Sequence, residues 1–150
     1  MPRARAARSS PLPVENQAFV ALQRAADFLL RDLERLLKTR HLSPAPYNVL
    51  RILRGAGAEG LACREIAGRM FTRDPDVTRI LDRLEAGGLI SRERPASDRR
   101  VVRARITPVG LKLLQHLDPL VRETHRRQFR RVPAARLRAV VAFLEELCSS

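Results

Sequence analysis

A chain of 150 residues fits one domain of ordinary size, and 45% hydrophobic residues with 4% aromatics and no Trp point to a core of Leu, Val, Ile and Ala, as in packed helices. A formal net charge of +13, from 29 Lys+Arg against 16 Asp+Glu, makes the surface a receptor for polyanions, and the dominance of Arg favours nucleic acid over an anionic membrane. No apolar run approaches the roughly 20 residues of a membrane span, the first residues lack a signal-peptide core, and Cys63 and Cys148 suggest no disulfide framework, so a cytoplasmic protein with reduced thiols is expected.

Residues 1–14 carry Arg3, Arg5 and Arg8 among Ala, Ser and Pro and read as a flexible basic tail. From Glu15 to Arg40, Phe19, Leu22, Ala26, Leu29, Leu33 and Leu37 recur at three- and four-residue steps, which predicts a long amphipathic helix. Ser43-Pro44 reads as a cap and first turn of a second helix through Tyr47, Leu50 and Leu53, ending at Gly55-Ala56-Gly57. A third, weakly capped by Ala62, covers Cys63 to Met70 with Ile66, Ala67 and Met70 on its apolar face. Asp74-Pro75 predicts the start of a fourth, with Val77, Ile80, Leu81 and Leu84 buried and Gly87-Gly88 as the stop. The period then drops to two: Ile90, Arg92 and Arg94 alternate with Leu89, Ser91 and Glu93, and after Pro95-Ala96-Ser97-Asp98, Val102, Ala104 and Ile106 alternate with Val101, Arg103 and Arg105. That pattern is a two-stranded hairpin. Thr107-Pro108 caps a long fifth helix that Pro133 ends, and a sixth runs from Ala134 to Leu147.

Two short helices followed by an arginine-tipped hairpin give the order of a winged helix-turn-helix. Its second helix must enter the major groove, and with one face buried it presents Asp76, Thr78, Arg79 and Arg83, with Arg73 just ahead. Arg pairs bidentately with guanine, Thr meets a thymine methyl, and Asp accepts from cytosine. The wing, with Arg94 on its first strand and Asp98, Arg99 and Arg100 at its tip, is suited to an adjacent minor groove. Arg64 is a candidate phosphate contact. Arg79 and Arg83 also read as solvated arginines pairing with Asp76, Asp82 or Glu85 at helical spacing, and Arg126, Arg127, Arg130 and Arg131 read as a solvated face that strengthens general attraction to DNA.

The run Val77-Thr78-Arg79-Ile80-Leu81-Asp82-Arg83-Leu84-Glu85, then Gly88-Leu89-Ile90, Asp98-Arg99-Arg100 and Ile106-Thr107-Pro108-Val109-Gly110, at these spacings, resembles the MarR family of transcriptional regulators over about residues 15–147. The resemblance implies a mainly α fold of six helices: a winged helix-turn-helix lobe with a two-stranded β wing at residues 43–106, and an α-helical dimerisation region from both chain ends, residues 15–42 and 107–148. It further implies a homodimer on palindromic duplex DNA acting as a repressor, and a small aromatic or anionic effector for which Tyr47, Arg51 and His41 lie in the right region. The unpartnered apolar faces of the terminal helices independently favour a second chain.

The alternative is a nonspecific architectural DNA-binding protein, for which charge alone would suffice; a winged helix used only for protein contacts would waste the arginine-tipped wing. With no P-loop, GxGxxG, nucleophile elbow or metal-spaced His/Cys set, neither catalysis nor a cofactor is expected. His41, His116 and His125 have no companion ligands, and Cys63 reads as an inert thiol.

Overall fold

The computed structural model describes residues 12–71, 76–94 and 100–149. In chain order these form α1 (Val14–Lys38), α2 (Pro44–Ala56), a 3-10 turn (Gly57–Glu59), β1 (Leu61–Ala62), α3 (Cys63–Arg69), α4 (Val77–Ala86), β2 (Ile90–Glu93), β3 (Arg103–Ile106), α5 (Pro108–Phe129) and α6 (Ala134–Cys148). The predicted mainly α architecture of six helices holds. No helix among the described residues is long and apolar enough to cross a membrane. The predicted tail lies almost wholly outside the described residues, and α1 takes in its last residue, Val14.

The core sits where α2 crosses the others. Val49, Leu50 and Leu53 of α2 are fully buried against Leu37 of α1, Ile66 of α3, Ile80 of α4 and Leu114 and Leu117 of α5. The stripe predicted for α4 is the one observed, with Val77, Ile80, Leu81 and Leu84 all buried. On α3, in contrast, Ala67 is exposed and Met70 falls beyond the helix end; at seven residues this helix buries only Ile66.

The expected two-stranded wing, β2 with β3, is present, and the sheet adds a strand to it. Leu61 and Ala62 form a third strand that pairs antiparallel with β3, Leu61 opposite Ala104, giving the order β1-β3-β2. Gly60 permits this approach: its φ is +64°, and a Cβ there would stand 2.6 Å from the Ala104 carbonyl oxygen. β2 pairs with β3 as the alternation requires, Ile90 opposite Ile106 and Arg92 opposite Ala104, and Ile90 and Ala104 are buried. Among the described residues of the hairpin, 90–93 and 103–106 carry the ladder.

Helix boundaries depart from expectation where a different residue or atom caps the helix. α4 begins at Val77 rather than directly after Pro75, because the Asp76 carboxylate accepts the Arg79 backbone N–H at 3.3 Å; Asp74 and Pro75 lie outside the described residues. Ser43 occupies the cap position of α2, but its hydroxyl makes no cap hydrogen bond. α2 continues through Gly55 and Ala56. At α3 the missing Ala62 hydroxyl is offset by Glu65, whose carboxylate accepts the Ala62 N–H at 2.7 Å. Thr107 caps α5 as predicted, accepting from the Gly110 N–H at 3.2 Å, while its own hydroxyl donates to the Gly88 carbonyl at 2.7 Å and ties the start of α5 to the turn between α4 and β2. α5 ends at Phe129, before Pro133, and holds Pro119 in its interior.

Candidate nucleic-acid interface

With one side of α4 buried, its remaining surface is fixed. Thr78, Arg79 and Arg83 are all exposed, the Arg79 side chain at 77%. Asp76 has a structural duty: besides capping α4 it pairs with the Arg79 guanidinium at 3.3 Å, so its carboxylate is turned towards its own helix. Arg83 is not paired with Asp82 or Glu85; its Nε donates at 3.4 Å to the Arg79 carbonyl. Arg64 is exposed at the second position of α3, and the Cys63 Sγ stands 3.8 Å from the Thr78 Oγ1, bringing the short helix against the start of α4.

On the wing, Arg94 and Arg100 are exposed at the two ends bordering residues 95–99. Arg73, Asp98 and Arg99 lie outside the described residues. Among the predicted site residues, then, the structure gathers Thr78, Arg79 and Arg83 on one helix, with Arg64 beside them and Arg94 and Arg100 at the wing.

The organising residue that sequence reasoning missed is Arg92. Its Nη2 stands 2.7 Å from the Asp82 carboxylate and 2.6 Å from that of Glu85, its Nε donates to Glu85 at 2.8 Å, and its backbone N–H donates to the other Glu85 oxygen at 3.2 Å. The guanidinium pKa is raised, foremost by the Glu85 hydrogen bond and then by Asp82. β2 is thereby locked to α4. The signal was present: two carboxylates three residues apart on α4, facing an arginine just across a glycine turn. The other sheet arginines are also engaged, Arg103 with the Gly60 carbonyl at 2.9 Å and Arg105 with Glu93 at 2.7 Å. Strand arginines thus serve the lobe's rigidity, whereas those on the outer face of α4 point to solvent.

A second polar site lies between α2 and α5, a cavity of about 340 Å³. Arg51 stacks over the Tyr47 ring at 5.8 Å, and Arg54 holds Asp118 at 2.7 Å, with Arg122 and His125 completing the lining. Burial pushes the Tyr47 phenol up, against the opposing pull of Arg51. Tyr47 and Arg51 therefore come together, but His41 does not join them. It sits on the turn after α1, at φ +55°, beside a different cavity of about 380 Å³ reached by Arg83 and Pro46. Among the described residues no group of three or more His, Cys, Asp or Glu stands close enough to hold a metal ion.

The model of the MarR family matches residues 42–102, the stretch from α2 to the wing. The HTH-type transcriptional repressor IacR of Pseudomonas putida is 29% identical over 131 residues, covering 87% of this chain and 77% of its own. A crystal structure of a MarR transcription factor from Planctomyces limnophilus is 38% identical, with 87% of this chain and 94% of that one covered and a TM-score of 0.68. CouR from Rhodococcus jostii RHA1, solved bound to p-coumaroyl-CoA, is 25% identical with a TM-score of 0.77, over 91% of this chain and 94% of its own.

Proposed function

This chain belongs to the MarR family of transcriptional regulators, and from that premise we propose that it is a sequence-specific duplex DNA-binding protein, a homodimeric repressor of a palindromic operator released by a small effector. The observation that carries the reading is α4: four buried apolar residues fix its orientation, and the opposite surface offers Thr78, Arg79 and Arg83 to solvent. A helix so presented enters a major groove with Arg and Thr reading base edges, while Arg94 and Arg100 on the wing reach the neighbouring backbone or minor groove. Arg64 and Arg73 contact phosphates, and Asp98 and Arg99 belong to the wing tip. Asp76 acts in this reading by holding Arg79.

The dimer is supported by what the single chain leaves uncovered. α6 buries none of its residues, and Phe19, Leu22 and Phe28 of α1 with Val140, Val141, Phe143 and Leu147 of α6 are exposed. A two-fold pair would set two α4 helices roughly 34 Å apart, one turn of DNA. The α2–α5 cavity, with an aromatic ring under Arg51 and with Arg122 and His125 nearby, suits an aromatic or anionic effector.

Selection from a random duplex pool at about 150 mM salt, where nonspecific phosphate attraction is damped, tests the proposal. Recovery of a two-fold symmetric motif is expected; recovery of no motif would refute it in favour of nonspecific coating of DNA.

A further inference from the structure

The largest concentration of charge lies away from α4. Arg126, Arg127, Arg130, Arg131, Arg136 and Arg138 fall within the end of α5, the turn after it and the start of α6, and no carboxylate occurs from residue 124 to 144. All six are exposed, and none takes part in an ion pair among the described residues, whereas Arg31, Arg35, Arg54, Arg79, Arg92, Arg103 and Arg105 each hold a carboxylate.

Fold stability does not account for this. Arg126 and Arg127 suit the C-terminal end of the α5 dipole, but Arg136 and Arg138 sit near the N-terminus of α6, where a cation opposes the dipole and the first turn holds no acidic residue. Six like charges this close also repel one another. Nor do they serve the winged helix. α5 leaves the wing at Thr107 and spans 22 residues, about 33 Å at 1.5 Å per residue. A charge at its far end lies several Debye lengths from the wing, since that length is about 8 Å at physiological ionic strength.

We propose that this arginine face is a second DNA-binding surface, which grips the phosphate backbone of another duplex segment while the winged helix holds the first. Arg126 and Arg127 lie in the last turn of α5, Arg130 caps it and Arg131 follows in the turn, so four forks are gathered on a short stretch of chain and can meet neighbouring phosphates. Their charge supplies most of a nonspecific grip on phosphate, and the guanidinium fork adds geometry to it. In a dimer formed through the apolar stripe of α6 the guanidiniums stay in solvent, because the carboxylates beside them, Asp32 and Glu123, are too few to compensate the burial of six cations. The chain then joins two stretches of DNA rather than only occupying one. The inference rests on the proposed function for its first duplex alone.

The test is two-duplex capture. A biotinylated duplex recovered by the selection is fixed to beads at about 150 mM salt, loaded with the full chain, and offered a fluorescent duplex of unrelated sequence. Wild-type beads are expected to capture the second duplex. R126Q/R127Q/R130Q/R131Q is expected to load the first within twofold of wild type and to capture at least fivefold less of the second, while the fourfold Arg→Lys variant retains most of the capture and so reports that the fold is intact. Undiminished capture by the glutamine variant, no capture by wild type, or displacement of the second duplex by poly-glutamate at lower charge concentration than by competitor DNA would each overturn the inference, the last in favour of an acidic protein partner. Direct binding to the unrelated duplex keeps the two readings apart. If the winged helix does not bind DNA, R79A/R83A/R100A matches wild type there, whereas the glutamine variant still loses binding and its salt slope falls by about 0.9 per phosphate contact removed.

Discussion

Replacing Arg92 with Met keeps most of the aliphatic stem and removes the guanidinium that joins β2 to α4. Three contacts are lost, to Asp82 at 2.7 Å and to Glu85 at 2.6 and 2.8 Å. Hydrogen bonds to charged groups are worth about 1.5–3 kcal/mol when buried. Here the Arg92 side chain is 26% exposed, but Asp82 and Glu85 are 54% and 38% exposed, so water screens both pairs and re-solvates the carboxylates after the change. A loss of about 1–2 kcal/mol follows for the network as a whole, a drop of roughly 3–6 °C in melting temperature for a chain of this size. Thermal and urea unfolding of R92M, E85Q and the double variant measure it, and a coupling of about 0.5–1 kcal/mol between the two sites is expected. Because the same bridge sets the angle between α4 and the wing, affinity of R92M for a selected duplex should also fall about fivefold, or ~1 kcal/mol. Melting within 1 °C of wild type together with coupling below ~0.2 kcal/mol would refute the reasoning.

Gly60→Ala should cost about 2–4 kcal/mol, combining left-handed backbone strain with a Cβ driven to 2.6 Å from the Ala104 carbonyl; Gly57→Ala, at φ +62° with nothing near its Cβ, should cost only ~1 kcal/mol, and equal urea midpoints for the two would remove the close approach from the account. Tyr47 is the only tyrosine of the chain, so tyrosinate absorbance follows it alone. Its pKa is raised in the fold, so the neutral phenol is favoured there, and the stability this contributes is complete below about pH 10 and declines as pH rises beyond it. Urea unfolding between pH 9 and 11 should show that decline in wild type and a flatter profile in Tyr47→Phe; identical profiles would contradict it. Arg100→Ala should weaken binding to a selected duplex at least tenfold, about 1.4 kcal/mol, without unfolding the protein, and unchanged affinity would take the wing out of recognition.

Helices were legible because each buries a stripe whose period survives in the sequence. The Val77, Ile80, Leu81, Leu84 stripe fixed both the existence of α4 and its solvent side, and Arg79 was placed on the outer face from that alone. Boundaries were less legible, since several residues compete to cap one helix end: Asp74 and Asp76 both qualify by type, and only the bond from the Arg79 N–H selects Asp76. β1 was illegible for a different reason. Two residues have no period, and the pairing of Leu61 with Ala104 depends on Gly60 letting two backbones touch across 43 positions of chain. Arg92 shows the same limit for side chains. Alternation assigned it a face of β2, but not the carboxylates on α4 waiting opposite that face.

The terminal helices carry this argument furthest. Leu137, Val140, Val141, Leu144 and Leu147 recur at helical spacing, yet the chain buries none of them, and Val140, Val141 and Leu147 remain about half exposed. Periodicity records that a face is apolar, not which surface covers it, and a stripe destined for another chain is written like one destined for the core. What separates the two is whether the rest of the chain reaches that face. α5 meets α1 through Gln128, which donates to the Leu29 carbonyl at 2.9 Å, and meets α2 through Asp118, but α6, after Pro133, buries none of its residues. Burial of apolar surface is worth about 25 cal/mol per Å², so an uncovered stripe on each terminal helix gives a strong drive towards association. The exposed arginines at the end of α5 and the start of α6 adjoin that uncovered stripe, so on the proposed reading apolar association and attraction to polyanions draw on neighbouring surfaces.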